Sequence, residues 1–91
     1  MVKVKACYHA FFSQIAGRDE EVVFLEQPTL GALVESLLES YGAEFAAALL
    51  DANTGDLSLG VSLLVNGSRV PFDAELRDGD EVYFLMAMAG G

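Results

Sequence analysis

A single helical stripe, set between two blocks of strand-like sequence, most constrains how this chain can fold. Thr29, after Pro28, is a good N-cap residue, and Gly42 is a good residue to end the helix. Apolar residues recur between them at helical spacing: Leu30, Leu33, Val34, Leu37, Leu38 and Tyr41. Such a stripe faces a core. We therefore predict one main helix that packs on a sheet built from strands on both sides of it.

Two strand-like runs precede the helix. Residues 2–8 (VKVKACY) alternate, which predicts a half-buried strand with Val2, Val4, Ala6 and Tyr8 on one face and Lys3, Lys5 and Cys7 on the other. Residues 11–20 are expected to form a turn around Gly17 and Asp19, and residues 21–26 (EVVFLE) a second strand. The pair is interpreted as an antiparallel hairpin with a long loop.

Shorter elements follow the helix. Residues 43–51 predict a short second helix that packs through Phe45 and Leu49. The run VSLLVNGSRVPF predicts a strand, an Asn66-Gly67 turn and a short strand limited by Pro71.

The chain closes with a compact corner and a last strand. Asp78-Gly79-Asp80 supplies the turn residues of the corner. The strand EVYFL then places Val82 and Phe84 on the core side and Tyr83 and Leu85 on the opposite face. An apolar open sheet face is usually a docking surface, so Tyr83 and Leu85 are candidate docking residues.

Together these elements predict an α+β roll. A mixed sheet of about four to five strands is covered by one main helix, with the last strand parallel to the first at its centre. We expect one domain over residues 1–85, followed by a flexible tail, residues 86–91. The predicted core is Val2, Val4, Val23, Leu33, Leu37, Leu38, Val82 and Phe84.

Charge and composition narrow the partners. The formal net charge of −9 disfavours nucleic acid and anionic membrane and favours a protein with a basic docking surface. No apolar run reaches the ~20 residues that span a bilayer, and Lys3 and Lys5 interrupt the first strand, unlike a signal peptide. We expect a cytoplasmic protein.

Cys7 and His9 are each alone of their type, so neither a disulfide within the chain nor a metal site is expected, and neither residue is assigned a role.

The final residues, FLMAMAGG, admit two readings. Two glycines are found at frayed termini. They also let a chain end enter a narrow channel through backbone contacts alone, which suits a reactive carboxylate.

Four stretches resemble one family over the whole chain: VKVKACYHAFFSQIAG, PTLGALVESL, LLVNGSRV and LRDGDEVYFLMAMAGG. The most specific is the pattern Leu-x-x-Gly-Asp-x-Val before a closing Gly-Gly. The chain resembles the MoaD- and ThiS-like sulfur carriers, which have the ubiquitin-like β-grasp fold. The added stretch from Phe45 to Leu59 makes it most similar to MoaD, the small subunit of molybdopterin synthase.

The resemblance implies a carrier or co-substrate rather than an enzyme. A ubiquitin-activating-type enzyme, using ATP and Mg, would adenylate the carboxylate of Gly91, and sulfur would then replace AMP to give a thiocarboxylate. The expected acceptor is a MoaE-like large subunit of molybdopterin synthase or another sulfur acceptor. Gly91 is the predicted reacting residue, and partner docking is assigned to Gly90, Ala89, Met88, Tyr83 and Leu85. The chain itself is expected to bind no metal or cofactor.

Three alternatives remain open from the sequence. One is a carrier that supplies sulfur for thiamine or cysteine synthesis. Another is a ubiquitin-like modifier joined through Gly91 to lysines of other proteins. The third is an interaction module whose tail is inert.

Overall fold

The computed structural model describes residues 1–87. Five strands and three helices occur in this part of the chain. In chain order they are β1 (Val2–Tyr8), α1 (Phe11–Ala16), β2 (Glu20–Leu25), α2 (Leu30–Tyr41), α3 (Ala43–Leu49), β3 (Val61–Val65), β4 (Ser68–Arg69) and β5 (Glu81–Met86).

The strands form one mixed sheet in the order β2-β1-β5-β3-β4. β1 and β5 are parallel at its centre, and the other neighbours pair antiparallel. The helices cover one face of the sheet, and the opposite face, here called the open face, is uncovered within residues 1–87. This arrangement confirms the predicted β-grasp roll.

Helix α2 begins and ends where the sequence predicts. The Thr29 hydroxyl oxygen accepts a hydrogen bond from the Ala32 amide at 3.1 Å, and the Gly42 amide donates to the Leu38 carbonyl at 2.8 Å. Four stripe residues are buried against the sheet: Leu30, Leu33, Val34 and Leu37. The stripe therefore forms the helical half of the core.

The predicted core is confirmed at its centre and less fully buried at its margin. Val4, Leu33, Leu37, Val82 and Phe84 are buried. The remaining three predicted residues, Val2, Val23 and Leu38, are partly buried and pack against that cluster. The short helix α3 is also confirmed, because both Phe45 and Leu49 are fully buried.

The prediction of a simple turn over residues 11–20 was wrong, because this segment contains α1. A helix of six residues is too short to show a clear apolar period. It is held in place by Phe12, which is fully buried with its ring centroid 5.5 Å from that of Phe45. Gly17 then ends the helix at a φ of 72°, a left-handed conformation that suits glycine.

The last strand reaches one residue further than the predicted domain boundary. β5 extends to Met86, which pairs with Val61, so the first residue assigned to the tail belongs to the sheet.

Of the helices within residues 1–87, none combines the length and the apolar character needed to cross a bilayer.

Candidate functional site

The end of β5 delivers the chain to the predicted reactive tail. Val82 and Phe84 are fully buried, whereas Tyr83 and Leu85 lie half-buried on the open face. The predicted phase of this strand is confirmed. The Ala87 amide then donates a hydrogen bond to the Gly60 carbonyl at 2.8 Å, which fixes the last described residue beside the start of β3.

The remaining tail residues, Met88, Ala89, Gly90 and Gly91, lie outside the described residues. The assignment of Gly91 as the reacting residue and of the preceding three as docking residues therefore stays a prediction. The described part of the site is the base of the tail and the open face beside it.

The Asp78-Gly79-Asp80 corner anchors the two central strands to each other. The Gly79 amide donates to the Lys3 carbonyl at 2.8 Å, with Gly79 at a φ of 88°. The Lys5 amide donates to the Asp80 carbonyl at 2.9 Å, and an Asp78 carboxylate oxygen accepts from the Lys3 amide at 2.7 Å. The corner thus fixes the register of β5 against β1, which determines where the tail leaves the sheet.

The open face combines apolar side chains with a concentration of cations. Val22, Phe24, Leu64, Tyr83 and Leu85 supply its apolar part. Three of the five Lys and Arg residues of the chain lie on it as well: Lys3, Lys5 and Arg69. Glu20 and Glu81 are its carboxylates. The strongly acidic character of the chain is therefore carried mainly by other surfaces, and a partner at the open face meets apolar groups together with these cations.

Cys7 and His9 lie near Tyr83 at the end of β1. Cys7 is buried, and its burial, followed by the nearby Glu20 and Glu81 carboxylates, raises the pKa of its thiol. A raised pKa keeps the thiol protonated, which suits packing better than nucleophilic sulfur chemistry. His9 is exposed in the loop after β1, as predicted, with its ring centroid 6.1 Å from that of Tyr83. Within residues 1–87, no group of three potential metal-ligating side chains occurs.

Sequence reasoning missed one polar cluster on the core side of the sheet. The hydroxyls of Tyr8 and Tyr41 both donate to the Glu21 carboxylate, the former at 2.5 Å. Burial and the bond to Glu21 raise the pKa of Tyr8, and the same two causes raise the pKa of Tyr41. The available signal was the position of Glu21, which faces the same side as the core residue Ala6 opposite it in the hairpin.

Comparison with known structures supports the β-grasp fold of the chain. The structure is similar to a putative molybdopterin converting factor, subunit 1, from Pyrococcus furiosus, with 33% identity, a TM-score of 0.76 and coverage of 97% of this chain and 100% of that chain. It is also similar to small archaeal modifier protein 1 from Methanosarcina acetivorans (23% identity, TM-score 0.79, coverage 100% and 98%). A third similar structure comes from a BexX/CysO complex of Amycolatopsis orientalis (23% identity, TM-score 0.74, coverage 97% and 99%).

A search of curated proteins finds no match. The model of the ThiS family matches residues 8–91, which include nearly all of the fold and the whole tail. The chain therefore belongs to the ThiS family of small ubiquitin-like sulfur carriers and modifiers, which work with partner enzymes.

Proposed function

We propose that this protein is a sulfur carrier in molybdopterin biosynthesis, with Gly91 as the C-terminal residue of the active chain. The family match, which continues through Gly90 and Gly91, is the observation that carries the proposal. The similarity to a putative molybdopterin converting factor subunit supports the pathway. The proposal places the protein in the cytoplasm, as a co-substrate and small subunit of a molybdopterin synthase-like complex.

The chemistry requires activation of the Gly91 carboxylate. A free carboxylate is a poor electrophile because its leaving group would be oxide, and an acyl-adenylate supplies a better one. The carboxylate oxygen attacks the α-phosphorus of ATP, and pyrophosphate leaves. The terminal sulfur of a persulfide held by a partner then attacks the acyl carbon, and AMP leaves, which gives an acyl disulfide. A thiolate attacks the partner's sulfur of that disulfide, so the S–S bond breaks, the Gly91 thiocarboxylate is released, and a disulfide joins the thiol to the partner.

The described residues indicate which parts of this chemistry belong to the carrier and which to its partner enzymes. The raised pKa of the Cys7 thiol makes it a poor relay for sulfur. The activating enzyme of the ubiquitin-activating type supplies the catalytic groups together with ATP and Mg. The carrier contributes the tail and a docking surface, which we assign to Tyr83 and Leu85 on the open face. A MoaE-like large subunit is the proposed acceptor.

A protein modifier is the second candidate, because the same activated Gly91 can acylate a lysine amine. The similarity of the fold to small archaeal modifier protein 1 keeps this candidate in view. The two candidates share activation and differ only in the nucleophile that finally attacks the acyl carbon. A carrier for thiamine or cysteine synthesis differs from the first candidate only in its acceptor.

Intact mass spectrometry of the protein purified from its native cells tests the proposal. A carrier shows the mass increase that corresponds to replacement of one oxygen by sulfur, and a chain lacking Gly91 does not. Transfer of that sulfur to a molybdopterin precursor by a MoaE-like subunit then identifies the pathway. Peptides branched from Gly91 to lysines, with no thiocarboxylate present, would instead establish the modifier.

A further inference from the structure

We propose that the outer edge of β2 binds an extended, cationic segment of a partner protein, which adds a strand to the sheet beside α2. The proposal concerns a surface separate from the tail and from Tyr83 and Leu85. It rests on three features of the described residues: an unpaired strand edge, exposed apolar side chains on that edge, and an acidic groove next to it.

The backbone of β2 presents free hydrogen-bonding groups to solvent. The Tyr8 amide donates to the Asp19 carbonyl at 2.7 Å, which sets the phase of the antiparallel ladder between β1 and β2. In that phase the N–H and C=O groups of Val23 point toward β1, and those of Val22 and Phe24 point outward. Within residues 1–87, no element pairs with this outer edge. Such an edge is a template for another strand.

Two apolar side chains accompany that edge. Val22 is 51% exposed and Phe24 is 61% exposed, and both lie on the open face. Edge strands that avoid association usually carry charged residues or proline in such positions. Val22 and Phe24 provide neither, so this stretch of the edge lacks that protection, and Glu20 at the start of β2 is the charged residue on the same face.

The groove next to this edge is acidic. It has a volume of about 400 Å³, lies between the end of β2 and α2, and is lined by Phe24 together with Glu26, Glu35 and Glu39. The two ion pairs found in the described part of the chain join Lys5 to Glu20 and Arg18 to Glu21, so they leave these three carboxylates without a cation. The sequence contains no Lys or Arg between Arg18 and Arg69.

These features together define the occupant. Side chains of an added strand alternate between the two faces of the sheet. Those directed toward α2 would meet Glu35 and Glu39, and those on the open face would meet Val22 and Phe24. The complementary sequence alternates Lys or Arg with apolar residues. Charge complementarity at such a rim favours encounter and selects the partner.

A second copy of this chain is a poorer occupant. Its β2 would bring Glu20 and Glu21 to an edge that already carries the acidic groove, and each copy has a net charge of −9. Like charges in juxtaposition oppose association. Because two strand spacings separate β2 from β5, about 10 Å, a strand bound here leaves the base of the tail accessible.

Titration of the full chain with an end-capped heptapeptide of alternating valine and lysine tests the proposal by NMR. The peptide should shift the resonances of β2 and α2, and the outward-pointing amides of Val22 and Phe24 should become protected from hydrogen exchange. The double variant Glu35→Gln, Glu39→Gln should bind about three- to tenfold more weakly, since each exposed ion pair contributes little. The control Glu44→Gln, Asp56→Asn removes the same charge elsewhere and should bind normally.

A backbone variant separates strand addition from simple charge attraction. Val22→Pro removes an outward N–H and leaves the ladder to β1 intact, a position where strands tolerate proline. It should remain folded by thermal unfolding and lose at least tenfold in affinity. Four results would overturn the proposal: no binding at millimolar peptide, equal binding of an alternating valine–glutamate peptide, shifts confined to Tyr83 and Leu85, or self-association through β2 in place of peptide binding.

Discussion

The two faces of the sheet are built from the same strands and have opposite uses. Leu25 is 4% exposed on the covered face, whereas its neighbour Phe24 is 61% exposed on the open face. At the centre, Phe84 is fully buried and Tyr83 is not. The alternation of a strand thus gives stability to one side and a contact surface to the other. Residues one position apart therefore have separable effects on folding and on partner binding.

Tyrosine–glutamate pairs show the same contrast. On the covered face, Tyr8 and Tyr41 converge on Glu21, which bridges β1, β2 and α2. On the open face, the Tyr83 hydroxyl donates to Glu81 at 2.7 Å within a single strand. The first arrangement joins three elements of the fold, and the second orders only a local surface.

The largest stability effect is expected on the covered face. Leu37→Ala removes a buried side chain between α2 and the sheet and should lower the free energy of unfolding by about 2–5 kcal/mol. Leu85→Ala on the open face is the matched control and should cost much less. Urea denaturation of both variants measures the difference. A loss within about 0.5 kcal/mol for Leu37→Ala would contradict the assignment of the helix face.

Hydroxyl removal should also distinguish the two faces. Tyr8→Phe leaves the buried side of Glu21 short of a donor and should cost about 1–3 kcal/mol of stability. Tyr83→Phe removes the corresponding bond on the open face and should leave thermal unfolding unchanged. Equal effects of the two substitutions would show that the cluster around Glu21 does not stabilise the fold.

Charge on the open face should harm binding rather than folding. Tyr83→Asp and Leu85→Asp place carboxylates at the proposed docking residues, and each should weaken binding to the activating enzyme at least tenfold, about 1.4 kcal/mol. Titration calorimetry measures the affinity, and circular dichroism confirms the fold. Normal binding by both variants would disprove the docking assignment, and unfolding of both would mean that this face belongs to the core.

Alkaline pH provides a gentler test of the covered face. Because the pKa of Tyr8 is raised in the folded state, its contribution to stability is present below the unfolded pKa, near 10, and is lost as the pH rises above it. The unfolded chain releases the proton first, so stability should fall by up to about 1.4 kcal/mol per pH unit for this group. Urea denaturation between pH 9 and 11, with Tyr8→Phe as control, should show a shallower slope in the variant.

The spacing of apolar residues and the residues typical of turns made much of the fold predictable. The stripe of α2, the alternation of β1 and β5 and the Asn66-Gly67 turn each follow from local sequence, and each is confirmed. The six residues of α1 were missed because packing of Phe12 rather than periodicity specifies them. Local signals suffice where an element is long enough to show its own period.

The candidate site was less predictable, because its parts depend on contacts between distant segments. The Asp78-Gly79-Asp80 corner was recognised as a turn, but its bonds to Lys3 and Lys5 join opposite ends of the chain. The convergence of two tyrosines on Glu21 likewise requires α2 to lie across the hairpin. The acidic groove beside β2 emerges only when Glu26 and α2 are placed together.

The central claim is that Gly90 and Gly91 serve activation and do not serve the fold. The most direct measurement is ATP–pyrophosphate exchange with the cognate activating enzyme, run beside thermal unfolding of the same proteins. Gly90→Ala and Gly91→Ala should unfold normally and lose at least tenfold in exchange, because an added methyl crowds a close-fitting channel and displaces the carboxylate. The control is a chain with one alanine added after Gly91. This chain retains both glycines, but its C-terminal carboxylate lies one residue further along.

A chain that lacks both glycines is the decisive variant. Because the core elements are complete by Met86, its melting temperature should equal that of the full chain, and exchange should be abolished. Full exchange activity from this variant would contradict both the carrier and the modifier, and would leave an interaction module whose tail is inert.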